Sequence, residues 1–142
     1  MTQFNLETTH KLAIQSYDSG VINIALSGNQ ELDGESDSDA TGKRIQSMKS
    51  SFILTPNQII EQWQYNAVSE WSLESFEVLI SQQPELIILG TGKNLTFPDH
   101  QALQCFHQAG IGVEVMNTAS ACRTFNVLVS ENRFVVAGLL II

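Results

Sequence analysis

Two short polar segments, each at the end of an apolar run, are the residues whose types could hold a ligand. Gly90-Thr91-Gly92-Lys93 follows the run 86–89, and Met116-Asn117-Thr118 ends the run 112–116. Glycines let the backbone approach a ligand, Lys93 offers a cation, and free amides at the start of a helix after Thr118 attract anions. If both segments end neighbouring parallel strands, they form one crevice. The sequence therefore raises the hypothesis of an anion site at Gly90, Thr91, Gly92, Lys93 and Thr118.

The same residues have a structural interpretation that needs no ligand. Glycines at a strand end turn the chain, and a threonine before a helix caps its first amides. Neither the Gly-x-Gly-x-x-Gly fingerprint of dinucleotide sites nor a phosphate-loop pattern occurs. We therefore treat the crevice as the alternative hypothesis, in which the chain is a small-molecule or anion binder or an unrecognised enzyme.

A predicted helix over 119–130 divides its side chains between a core face and an outer face. At about 100° per residue, Arg123 and Val127 point almost opposite to the apolar arc, while Thr124 and Asn126 fall on its two flanks. A valine beside a planar arginine is typical of protein interfaces, although a solvated surface has the same composition. We therefore predict that Arg123 and Val127 lie on a surface that binds a protein partner. The arc itself consists of Ala121, Cys122, Phe125, Leu128 and Val129.

No residue has the sequence spacing or neighbours that a catalytic group needs. Cys122 lies on the apolar arc, which favours a packed, inert thiol over a thiolate nucleophile. The three histidines have neither catalytic nor metal-ligand spacing, no serine lies in a nucleophile elbow, and no carboxylate pair shares one face. We therefore expect a non-catalytic domain without metal or cofactor, and an enzyme is the weaker alternative.

The segment 27–42 has a composition that cannot join a core. It carries five acidic residues, no basic residue and almost no apolar side chain. We therefore predict a mobile acidic loop. Its acids have the alternate spacing of a calcium loop, but Ser38 stands where the turn glycine belongs and Arg44 where the bidentate glutamate belongs. Calcium binding is accordingly not expected.

The composition restricts the cellular compartment and the classes of binding partner that we expect for the chain. Its 142 residues are the size of one domain, and the hydrophobic share of 43% can build one core. The formal net charge of −8 disfavours nucleic acid, because the seven Lys and Arg residues form no patch. Residues 1–9 lack the features of a signal peptide, and the apolar run 134–142 is too short for membrane insertion. Two cysteines without CxxC spacing fit a reducing compartment, so we expect a single cytoplasmic domain that could form homo-oligomers.

Apolar periodicity predicts alternating strands and helices in the second half of the chain. The runs 86–89, 112–116 and 133–140 have strand patterns. Helices are predicted from 73 to 82, with Ser72 as the cap, from 98 to 109, and after Thr118, which is expected to cap the third. Short connections between alternating elements favour crossover units on a largely parallel sheet.

The first half of the chain is predicted to be β-rich. The runs 12–17 and 21–26 flank the turn Asp18-Ser19-Gly20 as a hairpin, and 43–54 is predicted to be extended. The hairpin is expected to add antiparallel strands to the sheet. The predicted fold is therefore a three-layer α/β domain with a mixed, mainly parallel central sheet, helices packed on it and an N-terminal antiparallel hairpin.

Three strings of residues resemble one family closely. They are Leu86-Ile-Ile-Leu-Gly-Thr-Gly92, then Met116-x-Thr118-x-x-Ala121-x-Arg123-Thr124-Phe125-Asn126, and Glu131-x-Arg133-x-Val135. On these motifs the chain, over about residues 10–142, resembles domain-of-unknown-function family 498. The resemblance implies a three-layer α/β fold and brings no established catalytic residue. It marks as family-motif residues Met116, Thr118, Ala121, Arg123, Thr124, Asn126 and Arg133.

The same resemblance suggests a class of function. The family includes mitochondrial NADH dehydrogenase (complex I) assembly factor 3, adipogenesis-associated cytosolic proteins and many short bacterial members. A mitochondrial presequence is not apparent in residues 1–9, which favours a bacterial member. The resemblance therefore implies a binding or assembly-accessory domain with an unidentified protein partner, by analogy with a complex I assembly factor.

Overall fold

The computed structural model describes residues 11–26, 37–38 and 44–142. They form a four-stranded sheet, a five-stranded sheet and three α-helices. The strands are β1 (Ala13–Asp18), β2 (Val21–Leu26), β3 (Asp37–Ser38), β4 (Arg44–Met48), β5 (Phe52–Thr55), β6 (Gln58–Ile60), β7 (Leu86–Gly90), β8 (Gly112–Met116) and β9 (Val135–Leu139). The helices are α1 (Leu73–Ile80), α2 (His100–Gln108) and α3 (Thr118–Ser130), preceded by a short 3₁₀ turn, Val68–Glu70.

The four-stranded sheet is antiparallel, with the order β1-β2-β4-β3. The predicted hairpin is confirmed, and Gly20 has the positive φ of 81° that its turn requires. The alternate residues Ile22, Ile24 and Leu26 of β2 are buried, as expected for a sheet with one face in the core. Most of the predicted acidic loop 27–42, including the rejected calcium pattern, lies outside the described residues. Within it, Asp37–Ser38 pairs with β4.

The segment 43–54 is not one continuous extended element, as the sequence suggested. β4 belongs to the four-stranded sheet and β5 to the five-stranded sheet, so the chain changes sheet between them. The hydroxyl of Ser51 fixes this change, because it donates to the carbonyl of Trp63 at 2.8 Å and accepts the amide of Tyr65 at 2.6 Å. A long-range pair of hydrogen bonds of this kind leaves no local sequence pattern.

The five-stranded central sheet has the order β6-β5-β9-β7-β8. β7 pairs in parallel with both β8 and β9, whereas β5 pairs antiparallel with both β6 and β9. The predicted α/β fold with a mixed central sheet is confirmed, with parallel and antiparallel pairings equal in number. The hairpin does not extend this sheet, because it forms the separate four-stranded sheet with β3 and β4.

The central sheet buries both of its faces. Ile88, Ala137 and Leu139 face one core, which the four-stranded sheet and α3 cover. Ile87 and Val136 face the other core, which α1, α2 and the segment 61–71 cover. Continuous apolar runs in β7 and β9 are required for this arrangement, because each of their side chains meets a core on one side or the other.

The starts of α1 and α2 follow from short-range interactions. At α1 the amide of Ser72 donates to the Ser75 hydroxyl at 2.9 Å. The rings of Trp71, before the cap, and Phe76, inside the helix, pack with centroids 5.9 Å apart and form a hydrophobic staple. At α2 the Asp99 carboxylate accepts the amide of Gln101 at 3.1 Å. The second helix therefore begins at His100, two residues later than predicted, because Asp99 is its cap.

Candidate functional site

The two polar segments singled out in the sequence lie side by side. Gly90 at the end of β7 is the register partner of Met116 at the end of β8. The amide of Thr91 donates to the Met116 carbonyl, and the amide of Thr118 donates to the Gly92 carbonyl, both at 2.9 Å. The structure therefore brings Gly90, Thr91, Gly92 and Thr118 together, as expected for the carboxyl ends of neighbouring parallel strands.

The space beside Gly90 is occupied by protein. A Cβ placed on Gly90 would lie 2.8 Å from Leu139 Cδ2, 2.9 Å from Thr118 Oγ1 and 3.2 Å from Ala121 Cβ. The Gly90 carbonyl accepts the amide of Leu140 at 3.0 Å. This glycine permits a close approach of β9 and α3 to β7, which is a packing role.

Thr118 does not cap α3, so that prediction is wrong. The cap is Asn117, whose side-chain oxygen accepts the amide of Ser120 at 2.8 Å. Thr118 is the first residue of the helix and is fully buried. Its hydroxyl accepts the amide of Gly92 at 2.8 Å and donates to the carbonyl of Leu140 at 2.7 Å. Thr118 therefore ties together the ends of two strands, a role set by tertiary neighbours.

The segment after β7 is ordered by Thr91. Its buried hydroxyl donates to the carbonyl of Asn94 at 2.6 Å and accepts the amide of Thr96 at 3.2 Å. Since the Thr91 and Gly92 amides already have protein acceptors, they are not available to an anion. Lys93 is exposed at the edge of a cavity of about 350 Å³. Of the predicted anion-binding groups near the strand ends, the lysine is thus the one that faces open space.

The outer face of α3 carries Arg123 and Val127, as the helix phase predicted. Val127 is 56% exposed. Arg123 is also exposed, and its guanidinium donates to the Tyr17 hydroxyl at 2.5 Å and to Ser120 Oγ at 3.2 Å. The buried residues on the opposite face of the helix include Ala121, Cys122, Phe125 and Val129, and Leu128 is half-buried.

Asn126 fastens the hairpin to α3. Its side chain accepts the amide of Ile14 at 2.8 Å and donates to the carbonyl of the same residue at 2.7 Å. This pair satisfies both backbone groups of Ile14 where the β1–β2 register is irregular. The position of Asn126 on the flank of α3 was predicted, but its partner, 112 residues away, was not.

The remaining family-motif residues have structural surroundings. Met116 ends β8, and Thr124 is half-buried on α3. Arg133 is exposed and lies 3.5 Å from a carboxylate oxygen of Glu85, whose other oxygen accepts the amide of Phe134 at 2.9 Å. These contacts join the residues just before β7 to those just before β9, at the end of the sheet opposite Gly90.

Neither cysteine has an activated thiol. Burial raises the pKa of Cys122 to about 12, which outweighs the opposite effect of the neighbouring Arg123 charge. Desolvation also raises the pKa of Cys105, a half-buried residue of α2. Both thiols are therefore protonated at neutral pH, which removes the nucleophilic form.

The sequence reasoning missed two exposed apolar residues after β7. Leu95 is 51% exposed and Phe97 is 68% exposed, the latter being the most exposed of the large hydrophobic residues in the described part of the chain. The sequence could have indicated them, because both are large apolar residues in a polar connection between a predicted strand and a predicted helix. Neither belongs to an element that was predicted to face a core. They form an apolar surface on the segment that also carries Lys93.

The arrangement of two sheets and three helices is found in solved structures of bacterial proteins. A solution structure from Bordetella pertussis described as an Mth938-like domain has a TM-score of 0.63, covers 99% of this chain and 90% of its own, and is 17% identical. A solution structure of a Xanthomonas campestris protein has a TM-score of 0.73, covers 99% of this chain and 92% of its own, and is 26% identical. The whole arrangement is thus shared with bacterial proteins of known structure.

The chain belongs to the family described as "Protein of unknown function (DUF498/DUF598)", whose model matches residues 14–140. The expected family membership is therefore confirmed. A relative in Xenopus tropicalis, "NADH dehydrogenase [ubiquinone] 1 alpha subcomplex assembly factor 3", is 39% identical over 89 residues, which are 61% of this chain and 48% of that protein. The chain thus spans about half the length of the assembly factors it matches.

A bacterial relative is named as a membrane protein and not as an assembly factor. The "13 kDa major membrane protein" of Francisella tularensis is 31% identical over 82 residues, which are 57% of this chain and 67% of that protein. In the residues that the structure describes, no helix combines the length and the apolar composition needed to cross a bilayer.

Proposed function

We propose that this chain is a non-catalytic, cytoplasmic domain of the assembly-accessory type, which binds a protein partner through the outer face of α3. The observation that carries the proposal is the pair Arg123 and Val127, one helical turn apart and both exposed. An apolar side chain beside a planar donor is the combination that protein interfaces enrich.

The arginine is already ordered before a partner arrives. Its guanidinium has five N–H donors, and the hydrogen bonds to Tyr17 and Ser120 hold it in place while leaving further donors for a partner. Ordering an arginine costs an interface about 0.5–1.5 kcal/mol, and here the fold has met much of that cost. A partner that offers a carboxylate or a backbone carbonyl beside an apolar side chain fits this surface.

The relatives support the coarse part of this proposal. The name of the Xenopus tropicalis protein assigns it to the assembly of NADH dehydrogenase, and an assembly factor acts by contact with other proteins. We carry over the general role, binding to a protein during the building of a complex, and not the identity of that complex.

Site-specific photo-crosslinking in the native host tests the surface directly. A photoreactive amino acid at position 127 should give one dominant adduct, and mass spectrometry would identify the partner or a second copy of the chain. The matched control is position 73, because Leu73 is 54% exposed on α1, on the other side of the central sheet. Equal adducts at both positions would show that the outer face of α3 is not the binding surface.

Two substitutions separate binding from folding. Arg123→Glu should abolish the adduct formed from position 127, and Val127→Asp should abolish capture of the partner that this adduct identifies. Each change should alter the free energy of unfolding by no more than about 1 kcal/mol. Leu73→Asp is the matched control and should leave capture unchanged. Phe125→Ala, in contrast, should cost about 3–5 kcal/mol, because it opens a cavity at a fully buried position.

A second candidate function is a small-molecule or anion binder that uses the crevice beyond Gly90-Thr91-Gly92. An unrecognised enzyme would use the same place. The observation in its favour is the cavity of about 350 Å³ beside Lys93, a volume within the range of small-molecule sites. Gly90, Thr91 and Gly92 are not among the residues that line this cavity, so a ligand there would meet Lys93 and its neighbours instead of the glycine backbone.

A further inference from the structure

The outer edge of β8 is an open end of the central sheet. β8 is the last strand in the order β6-β5-β9-β7-β8, so in the described part of the chain it pairs with β7 alone. The amide of Thr91 donates to the Met116 carbonyl at 2.9 Å, which shows that Met116 directs its backbone groups towards β7. Since these directions alternate along a strand, Val113 and Val115 direct their backbone groups away from the sheet. Each valine thus presents one donor and one acceptor at this edge.

The other edges of the two sheets are protected, whereas this one is not. β3 has two residues and β6 has three, and very short edge strands resist further pairing. At the remaining edge the register of β1 is irregular, and the side chain of Asn126 takes both backbone groups of Ile14. β8 pairs with β7 regularly over all five of its residues, and it contains neither proline nor lysine. A sheet edge without such protection is a template for pairing with another chain.

The side chains of β8 determine the composition of a strand that could pair with it. Val113 and Val115 are half-buried and pack against the core that α1 and α2 cover. Glu114 lies on the opposite face of the sheet, is exposed, and forms no ion pair within residues 11–26, 37–38 and 44–142. An added strand would therefore place apolar side chains beside the two valines and a basic side chain opposite Glu114, because opposite charges stabilise a pair of strands.

A second copy of the chain fits this edge poorly in the three symmetric registers that centre on 113, 114 or 115. Pairing about Glu114 would place two carboxylates directly opposite each other. Pairing about Val113 would need the amide of Ile111, which already donates to a carbonyl of α2 at 2.9 Å. Pairing about Val115 would bring Asn117, the cap of α3, against Val113 of the other copy, where the chain leaves the strand to begin the helix. The edge therefore favours a different chain.

We propose that the β8 edge binds an extended segment of another protein, in which a lysine or arginine lies between two apolar residues, as a sixth strand of the central sheet. Antiparallel pairing fits best, because it is the more stable arrangement and makes Glu114 part of a close, non-hydrogen-bonded pair. The backbone groups of Val113 and Val115 supply affinity, and the side chains supply selectivity. The site does not include Arg123 or Val127, so the proposal goes beyond the proposed function.

Selection from a displayed library of random seven-residue peptides tests the stated chemistry. The wild-type protein should select a basic residue between two apolar residues. Glu114→Lys, at an exposed position, should select an acidic residue there and should bind the wild-type peptide about fivefold more weakly. Glu131→Lys, the same change at an exposed position after α3, is the matched control and should select as the wild type does. No consensus, or the same consensus from wild type and Glu114→Lys, would overturn the proposal.

Hydrogen exchange locates the selected peptide on the protein. In the free protein the amides of Val113 and Val115 should exchange quickly, whereas those of Glu114 and Met116, which face β7, should be protected. A saturating amount of peptide should slow exchange of the two valine amides at least about tenfold. Protection only at other residues would place the peptide elsewhere, and protection that rises with protein concentration alone would assign the edge to a second copy. Either result would overturn the proposal.

Proline at position 113 removes an outward donor without taking a hydrogen bond from β7. Val113→Pro should weaken the selected peptide at least about tenfold, whereas Val113→Ala, which keeps the amide, should weaken it by no more than about threefold. Protected amides at Glu114 and Met116 would show that the proline variant retains the sheet, and Glu114→Lys supplies the same test without a backbone change. Equal affinity of the folded proline and alanine variants would overturn the assignment to this edge.

This proposal and the one for the outer face of α3 fail separately. Val127→Asp should leave the affinity for the selected peptide unchanged, since that side chain is not part of the β8 edge. Loss of the peptide in Val127→Asp would place it on α3 and overturn the edge assignment. The peptide selection uses the purified protein, so its result does not depend on the photo-adduct at position 127.

Discussion

Replacing Gly90 with alanine distinguishes a packing glycine from a glycine that admits a ligand. The new methyl group would meet Leu139 Cδ2 at 2.8 Å, Thr118 Oγ1 at 2.9 Å and Ala121 Cβ at 3.2 Å. The end of the leucine side chain can rotate away. The threonine oxygen cannot, because it is held by the Gly92 amide at 2.8 Å and the Leu140 carbonyl at 2.7 Å.

Overpacking of a core costs about 1–3 kcal/mol, and the pinned oxygen places this case towards the upper end, about 2–3 kcal/mol. Equilibrium unfolding in urea measures the change, and an unaltered m-value would show that it reflects stability alone. The matched control is Gly112→Ala on the edge strand β8, where the new methyl group meets only Leu86 Cδ1, at 3.2 Å. That variant should stay within about 0.5 kcal/mol of the wild type.

The reasoning is refuted if Gly90→Ala unfolds with the same free energy as Gly112→Ala. Such a result would mean that the space beside Gly90 is open, and the glycine would again be a candidate for close approach to a ligand.

Three further predictions concern α3. Thr118→Val leaves one buried amide and one buried carbonyl without partners and should cost about 2–4 kcal/mol in urea unfolding; a cost below about 0.5 kcal/mol would contradict the role given to its hydroxyl. Asn126→Ala should cost about 2–3 kcal/mol and speed hydrogen exchange of the Ile14 amide, whereas Ser130→Ala on the exposed end of the helix should do neither. Burial raises the pKa of the Cys122 thiol from 9.0 to about 12. The stability that the protonated thiol contributes is therefore complete below pH 9, and it is lost between pH 9 and about 12, by about 1.4 kcal/mol per pH unit. The difference in unfolding free energy between the wild type and Cys122→Ala should therefore shrink above pH 9, and a constant difference would show that the thiol is not desolvated.

Those parts of the fold that depend on local patterns could be predicted from the sequence. The runs at 86–89 and 112–116 have the apolar patterns of strands beside a core, and both are strands in the structure. The hairpin was predictable because Gly20 supplies the positive φ of its turn. In each case a few neighbouring residues determine the element, so no distant contact was needed.

Elements that depend on distant contacts could not be predicted. Trp63 lies in a segment without periodicity, yet it is buried, and its ring would lie 2.7 Å from a Cβ on Gly138. The missing side chain of Gly138 on β9 is what makes room for the indole. The pairing of a tryptophan with a glycine 75 residues later in the chain leaves no trace in local propensity.

The site shows the same division between local and distant causes. Helix periodicity was enough to place Arg123 and Val127 on the outer face of α3, because it depends only on spacing. It could not show that Arg123 meets Tyr17, 106 residues earlier, or that the same hydrogen bond borders a cavity. Both contacts follow from the way Asn126 fastens β1 to α3, which sets the hairpin turn beside the first turn of the helix. The motif residues Arg123 and Asn126 therefore act first on the position of the hairpin. The proposed protein-binding role of Arg123 depends on that position, since Tyr17 of the hairpin orders its guanidinium, and the cavity beside Lys93 also requires the hairpin to be in place.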